Sequence, residues 1–115
     1  MSKKAMYMAK IDKKDFAEWK SKKGKFNGRL MFQLWIEFLC IPKNFLNFFG
    51  NVDKAETERT KEDITKYKIV ELDQENWDKF MVLCKDNDMY ANDAINILVK
   101  RFNAQGYCIE TKLKV

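Results

Sequence analysis

The chain contains the same short pattern twice, and the two copies lie 61 residues apart. In each copy a short, partly apolar stretch ends at an aspartate, and two aromatic residues spaced three apart follow: Asp12, Phe16 and Trp19, then Asp73, Trp77 and Phe80. Aspartate is a favoured N-cap, and residues three apart share one face of a helix. Later apolar residues at helical spacing also correspond: Met31, Leu34, Trp35 and Phe38 with Ile95, Leu98, Val99 and Phe102. The sequence therefore predicts two strand–helix–helix units in one chain.

Periodicity and capping residues predict the bounds of the elements. Short stretches with apolar residues predict strands at 4–11, 66–72 and 107–115. Helices are predicted at about 13–23, 28–40, 42–50, 74–87 and 92–106. Their ends are indicated by residues suited to caps and breaks: Asn27, Asn92, Pro42, Gly24, Gly50 and Gly106. Trp35, Trp77, Ile95 and Phe102 are expected in the core.

These elements predict a mostly helical α+β protein that is organised in three segments. Residues 1–50 hold the first strand–helix–helix unit and an extra short helix. We expect the apolar residues of that helix to make core or dimer contacts: Phe45, Leu46, Phe48 and Phe49. Residues 51–65 form a charged linker. Residues 66–115 hold the second unit and a C-terminal strand.

Composition argues against several classes of protein. No apolar run approaches the roughly 20 residues of a membrane span, and no apolar stretch of signal-peptide length follows the N-terminus. We therefore expect a cytoplasmic protein without a membrane partner. The chain has no histidine, and its three cysteines are widely separated. Because this removes the commonest general base and the usual zinc ligands, we expect no enzyme activity, metal or cofactor.

Positive charge is concentrated near the N-terminus. The net charge is +5, but residues 1–30 contain ten Lys or Arg against three Asp or Glu, whereas residues 51–115 contain eleven against thirteen. A concentrated basic segment is typical of a surface that binds phosphates. Lys3, Lys4 and Lys10 are the lysines expected to lie on or beside the first strand.

Residues 66–103 resemble the ribbon-helix-helix module of repressors such as Arc and MetJ. The similarity consists of a short strand, a capped helix, a tight turn and a second helix that begins near Asn92. In that family two strands pair into an antiparallel ribbon that enters the major groove of DNA. The N-terminus of each second helix binds a phosphate. A second such unit in residues 1–50 would make the chain an intramolecular pseudo-dimer; the alternative is a homodimer.

The resemblance implies a set of residues that bind nucleic acid. In the second unit, Tyr67, Ile69 and Glu71 are expected on the outer face of the ribbon, with Lys66 and Lys68 on phosphates and Asn92 at the helix N-terminus. In the first unit, Met6, Met8 and Lys10 are expected to face outwards. The corresponding helix N-terminus would be formed by Asn27, Gly28 and Arg29.

A winged helix is the alternative fold, because a strand, two helices and a final strand also follow that order. In this arrangement the last helix would enter the groove and present Asn92, Asp93, Asn96, Lys100 and Arg101. A wing requires a hairpin, whereas only one strand is predicted after the last helix, and this argues against the winged helix.

The function expected from these features is binding of double-stranded DNA, as a small regulator or a DNA-processing accessory of a phage or plasmid. The alternative is an inhibitor or adaptor that binds a host protein, for example a viral anti-defence protein. The apolar residues expected on the ribbon, Met6, Met8, Tyr67 and Ile69, would suit such a partner.

Overall fold

A computed structural model describes residues 3–50, 52 and 63–105. It contains two strands and five helices in these ranges. They are β1 (Lys4–Asp12), α1 (Lys13–Lys23), α2 (Gly28–Leu39), α3 (Pro42–Phe49), β2 (Ile64–Asp73), α4 (Gln74–Asp86) and α5 (Ala91–Gln105). The predicted strand at 107–115, Gly106 and most of the linker at 51–65 lie outside the described residues. The α+β class and the order of the first seven elements are confirmed.

Side-chain caps explain where the helices begin. The Asp12 carboxylate accepts hydrogen bonds from the backbone N–H groups of Lys14 and Asp15, and Asp73 accepts one from Asn76. Asn27 caps α2 in the same way, and Pro42 occupies the first turn of α3. Each cap satisfies an N–H group that the helix itself leaves unpaired.

The two strands form one antiparallel sheet, which we call the ribbon. Lys10 pairs with Lys66, Met8 with Lys68, and Tyr7 with Ile69. Between Tyr7 and Ala5, the register shifts by one residue, so that Val70 and Glu71 of β2 lie opposite a single residue of β1. Glu71 adopts a φ of 59°, which is uncommon for a residue with a side chain. The sheet therefore contains a β-bulge in β2.

The two halves of the chain are related by reciprocal contacts. The N–H of Lys13 donates to the carbonyl of Asp63 (2.8 Å), and the N–H of Gln74 donates to the carbonyl of Lys3 (2.9 Å). Each bond joins the first residue of a helix to the residue before the opposite strand. Helices of one half also pack against helices of the other half: α1 packs against α5, and α2 packs against α4. The described residues 3–50 and 63–105 are thus interlocked around one core.

The core lies between the inner face of the ribbon and the helices. Trp35, Trp77, Ile95 and Phe102 are all at most 6% exposed, which confirms the predicted core positions. Aromatic contacts follow the reciprocal pattern too. Tyr7 of β1 packs on Trp77 of α4, with ring centroids 4.9 Å apart, and Tyr67 of β2 packs on Phe16 of α1 at 5.4 Å.

Helix α3 follows α2 and covers one end of the helical layer. Phe45 is fully buried against Phe80 of α4, and Phe48 stacks under the guanidinium of Arg101, 4.7 Å from the ring centroid. The expected core contact is confirmed for Phe45 and Phe49, which are buried. Phe48 is partly buried, and Leu46 is exposed. None of the described helices is long and apolar enough to cross a membrane.

Candidate nucleic-acid interface

One side of the ribbon faces away from the helices, and we call it the outward face. The opposite side of the ribbon faces the helices and is formed by small and branched residues, including Ala9, Ile11 and Ile69, which are at most 1% exposed. Because side chains alternate along a strand, the neighbours of these residues point to the opposite side. The exposed residues of the outward face are Lys4, Met6, Met8, Lys10, Ile64, Lys66, Lys68 and Glu71.

Three lysines lie close together on the outward face. Lys10 is directly opposite Lys66, and Lys68 is opposite Met8, two residues along. Among the described residues, no carboxylate lies within 4 Å of any of the three ammonium groups. Like charges opposite each other on neighbouring strands are destabilising. The outward face therefore carries positive charge that the described part of the protein does not neutralise.

The side chains of Asn92 and Asn96 bind the edge of β1 that β2 leaves free. Asn92 accepts from the N–H of Lys10 (2.8 Å) and donates to its carbonyl (3.0 Å). Asn96 donates to the same carbonyl (2.9 Å) and accepts from the N–H of Asp12 (3.1 Å). Since both backbone groups of Lys10 point away from β2, Lys10 and Lys66 form a non-hydrogen-bonded pair. In such pairs the Cα atoms are only about 4.5 Å apart, and the side chains are close.

This arrangement corrects the predicted role of Asn92 as the cap of the last helix. Helix α5 begins one residue earlier, at Ala91, and the amide of Asn92 is engaged with the backbone of Lys10. A side chain held in this way fixes the position of Lys10 relative to the start of α5. The N-terminus of α5 therefore lies beside the two facing lysines.

The N-terminus of α2 lies at the other end of the ribbon. Asn27 is exposed and caps the helix by accepting from the N–H of Leu30 (3.1 Å). Gly28 is buried against Trp19, and a Cβ atom at this position would lie 2.7 Å from Cη2 of the indole. Arg29 is exposed and reaches the Glu71 carboxylate at 3.6 Å. Glu71 is the only exposed carboxylate of the described strands, and it thus has a basic partner from α2.

The predicted outward orientation of Tyr67 and Ile69 is wrong. Ile69 is 1% exposed, and Tyr67 is half-buried against Phe16, Trp19 and Phe32. Burial also raises the pKa of Tyr67 above its usual value. The bulge is the reason. In a regular strand every second residue before the buried Leu72 would also face inwards, and Tyr67 and Ile69 would face outwards. The extra residue at Val70–Glu71 reverses this alternation for the residues before it. Lys66 and Lys68 take the outward positions instead.

The remaining predicted residues lie where the sequence suggested. Met6 is 58% exposed and Met8 is 44% exposed on the outward face of β1. Lys3 and Lys4 are exposed at the end of the ribbon where β1 begins, although the carbonyl of Lys3 is bound by Gln74. Predicted residues from both strands therefore share one surface. The ribbon prediction did not include Asn96, which only the winged-helix alternative named; its spacing of four from Asn92 on a helix was the available signal.

A shallow groove of about 460 Å³ opens where β1 meets the start of α5. Its walls include Met8 and Lys10 of the outward face, together with Met81 of α4 and Tyr90 before α5. Tyr90 is 71% exposed and Met81 is 41% exposed. The groove thus joins the cationic end of the outward face to exposed apolar side chains.

Neither described cysteine has the surroundings of a reactive thiol. Cys40 and Cys84 are free and buried, and burial raises the pKa of Cys84 to about 12 and that of Cys40 above its usual value. Cys108 lies outside the described residues. Within the described ranges, no group of three or more His, Cys, Asp or Glu side chains is placed to hold a metal ion.

The chain was compared with known protein-family models, curated proteins and solved structures. No match was found in any of the three comparisons.

Proposed function

We propose that the chain is a ribbon-helix-helix protein whose two halves come from one polypeptide, and that it binds double-stranded DNA through the outward face of the ribbon. The observation that carries the proposal is the facing pair Lys10 and Lys66, with Lys68 beside them and no acidic partner among the described residues. A polyanion would neutralise this charge.

The shape of the surface supports the same ligand. The major groove of B-form DNA is about 12 Å wide and admits a two-stranded ribbon. The outward face offers lysine ammonium groups, which donate hydrogen bonds to guanine, and methionine side chains, which suit the methyl group of thymine. The N-terminus of α5 lies beside Lys10. A helix N-terminus at the rim of the groove suits a backbone phosphate.

The reciprocal contacts support a pseudo-dimer within one chain. Each strand contributes one half of the ribbon, and each pair of helices packs against the other half. This is the arrangement that two subunits make in the family, here with both strands in the same chain. A second chain is not needed to complete the ribbon.

The winged-helix alternative is disfavoured by the position of α5. Most of this helix is buried, and the polar residues that would enter the groove make contacts within the protein. Asn92 and Asn96 bind β1, Lys100 binds the Asp15 carboxylate at 2.5 Å, and Arg101 donates to the carbonyl of Phe48. Insertion of α5 into DNA would require these contacts to break.

Binding of a protein partner is the second candidate, and one observation favours it. Met6, Met8, Met81 and Tyr90 are exposed large apolar side chains at or beside the groove next to β1. Methionine-rich surfaces adapt to varied protein partners. The patch is smaller than the sequence suggested, because Tyr67 and Ile69 turn inwards.

A binding titration across a salt series separates the two candidates. Fluorescence anisotropy with a labelled duplex of mixed sequence would be measured between about 50 and 200 mM salt, the range over which phosphate contacts lose much of their affinity. The proposal predicts a log–log slope of about −0.9 for each phosphate neutralised. Absent or salt-insensitive binding would reject DNA as the ligand and favour a protein partner.

A further inference from the structure

We infer that the ribbon recognises a duplex whose two half-sites differ in sequence. This inference rests on the proposed function and specifies its substrate. A ribbon made from two identical strands presents the same side chains at both ends and so matches a palindromic site. In this chain the two ends present different chemistry.

The correspondence between the strands follows from the residues that face the core. Counting back from the two helix caps, Ile11 corresponds to Leu72, Ala9 to Ile69 and Tyr7 to Tyr67, and all six side chains point inwards. The outward residues between them then correspond as well: Lys10 to the bulge residue Glu71, Met8 to Lys68, and Met6 to Lys66. Every outward position therefore differs between the halves.

The pairing places these differences at opposite ends of the ribbon. At one end Lys10 lies opposite Lys66. At the other end Met6 lies beside the bulge, where Glu71 is paired with Arg29 at 3.6 Å. Among the described residues, one end thus presents two facing ammonium groups without an acidic partner, and the other presents a thioether and a neutralised carboxylate, with the exposed Lys4 at its tip.

The two ends suit different bases. A lysine ammonium donates to O6 and N7 of guanine, which are both acceptors in the major groove. A methionine side chain has no donor and makes apolar contact, for which the thymine methyl group is the available partner. A carboxylate accepts from the N4 amino group of cytosine and is unfavourable near guanine O6 or N7. We therefore expect guanine in the half-site under Lys10 and Lys66, and thymine in the half-site under Met6.

The test is selection of bound duplexes from a randomised library by the wild-type protein. The expected result is a non-palindromic motif with guanine enriched on one side only. A palindromic motif, or guanine enriched equally on both sides, would overturn the inference while leaving DNA binding intact. A protein that enriches no duplex and shows no salt-dependent binding would overturn the proposed function and this inference with it.

The same selection with a variant that has two cationic ends is the second part of the test. Met6→Lys combined with Glu71→Lys makes the second end resemble the first, and both side chains are exposed, so the fold should persist. We expect the selected motif to gain guanine in its second half and the wild-type site to bind at least about tenfold less tightly than the new site. Lys43→Met, on α3 and away from the ribbon, is the matched control and should leave the motif unchanged. An unchanged motif in the double variant, with an unchanged melting temperature, would contradict the assignment of these two residues.

Discussion

Lys10 of β1 and Lys66 of β2 face each other as a non-hydrogen-bonded pair on the outward face of the ribbon. Such a pair places two positive charges close together in the free protein, at a cost in stability. The two side chains are therefore better suited to an anionic ligand than to each other. Stability and DNA affinity should therefore respond in opposite directions when one of the charges is reversed.

Lys66→Glu should stabilise the free protein. The change converts a like-charged pair into an opposite-charged pair, which is worth about 0.2–1 kcal/mol on a sheet surface. Urea unfolding at low and high salt measures this effect, and the gain should shrink as salt screens the charges. Lys43→Glu on α3 is the control. A loss of stability that does not depend on salt would show that the facing lysines do not repel each other.

Trp77→Ala should lower the free energy of unfolding by about 3–5 kcal/mol, because a large buried side chain loses both transfer energy and packing. Trp77 is 6% exposed and contacts Tyr7 from the opposite half of the chain. Met81→Ala, on the same helix but 41% exposed, is the control and should have a much smaller effect. An unchanged melting temperature in Trp77→Ala would contradict the interlocked core.

Asn92→Ala should expose the backbone of Lys10. The substitution removes one hydrogen bond to the N–H and one to the carbonyl of this residue, and each is worth about 1 kcal/mol. Amide hydrogen exchange at Lys10 should become faster, and DNA affinity should fall with little change in the salt slope, since no charge is lost. Asn47→Ala on α3 is the control. Unchanged exchange at Lys10 would show that Asn92 does not hold this strand edge.

Cys84 should make the stability of the protein depend on pH in the alkaline range. Burial raises its pKa to about 12 from the ordinary value of 9.0, so the folded state disfavours the thiolate. The folded state therefore keeps its full stability with respect to this thiol below about pH 9. The free energy of unfolding then falls as pH rises towards 12, at roughly 1.4 kcal/mol per pH unit. Melting temperatures of wild type and Cys84→Ala between pH 8 and 10.5 measure the difference. Parallel pH profiles of the two proteins would show that ionisation of Cys84 does not cause the loss of stability at alkaline pH.

The sequence predicted the elements well because their signals are local. Asp12, Asp73 and Asn27 cap helices through bonds to residues two or three positions away, and such bonds need no tertiary information. The outward face of β2 was not predictable in the same way. Which side chains of β2 face outwards depends on the bulge at Glu71. The bulge forms when β2 pairs with β1, and the sequence has no glycine at this position that would indicate it. Asn92 illustrates the same limit, because its partner, Lys10, is 82 residues away.

If the outward face of the ribbon binds DNA, reversing two of its charges should weaken binding more than reversing two charges elsewhere. Lys10→Glu with Lys66→Glu would be compared with Lys43→Glu with Lys79→Glu, which changes the net charge equally on the side of α3 and α4. Anisotropy titrations across a salt series should show that the ribbon variant loses at least about tenfold in affinity and that its salt slope falls by about two units. The control should lose far less. Equal losses in the two variants would mean that net charge alone drives binding. Undiminished affinity in the ribbon variant would show that the outward face does not bind DNA.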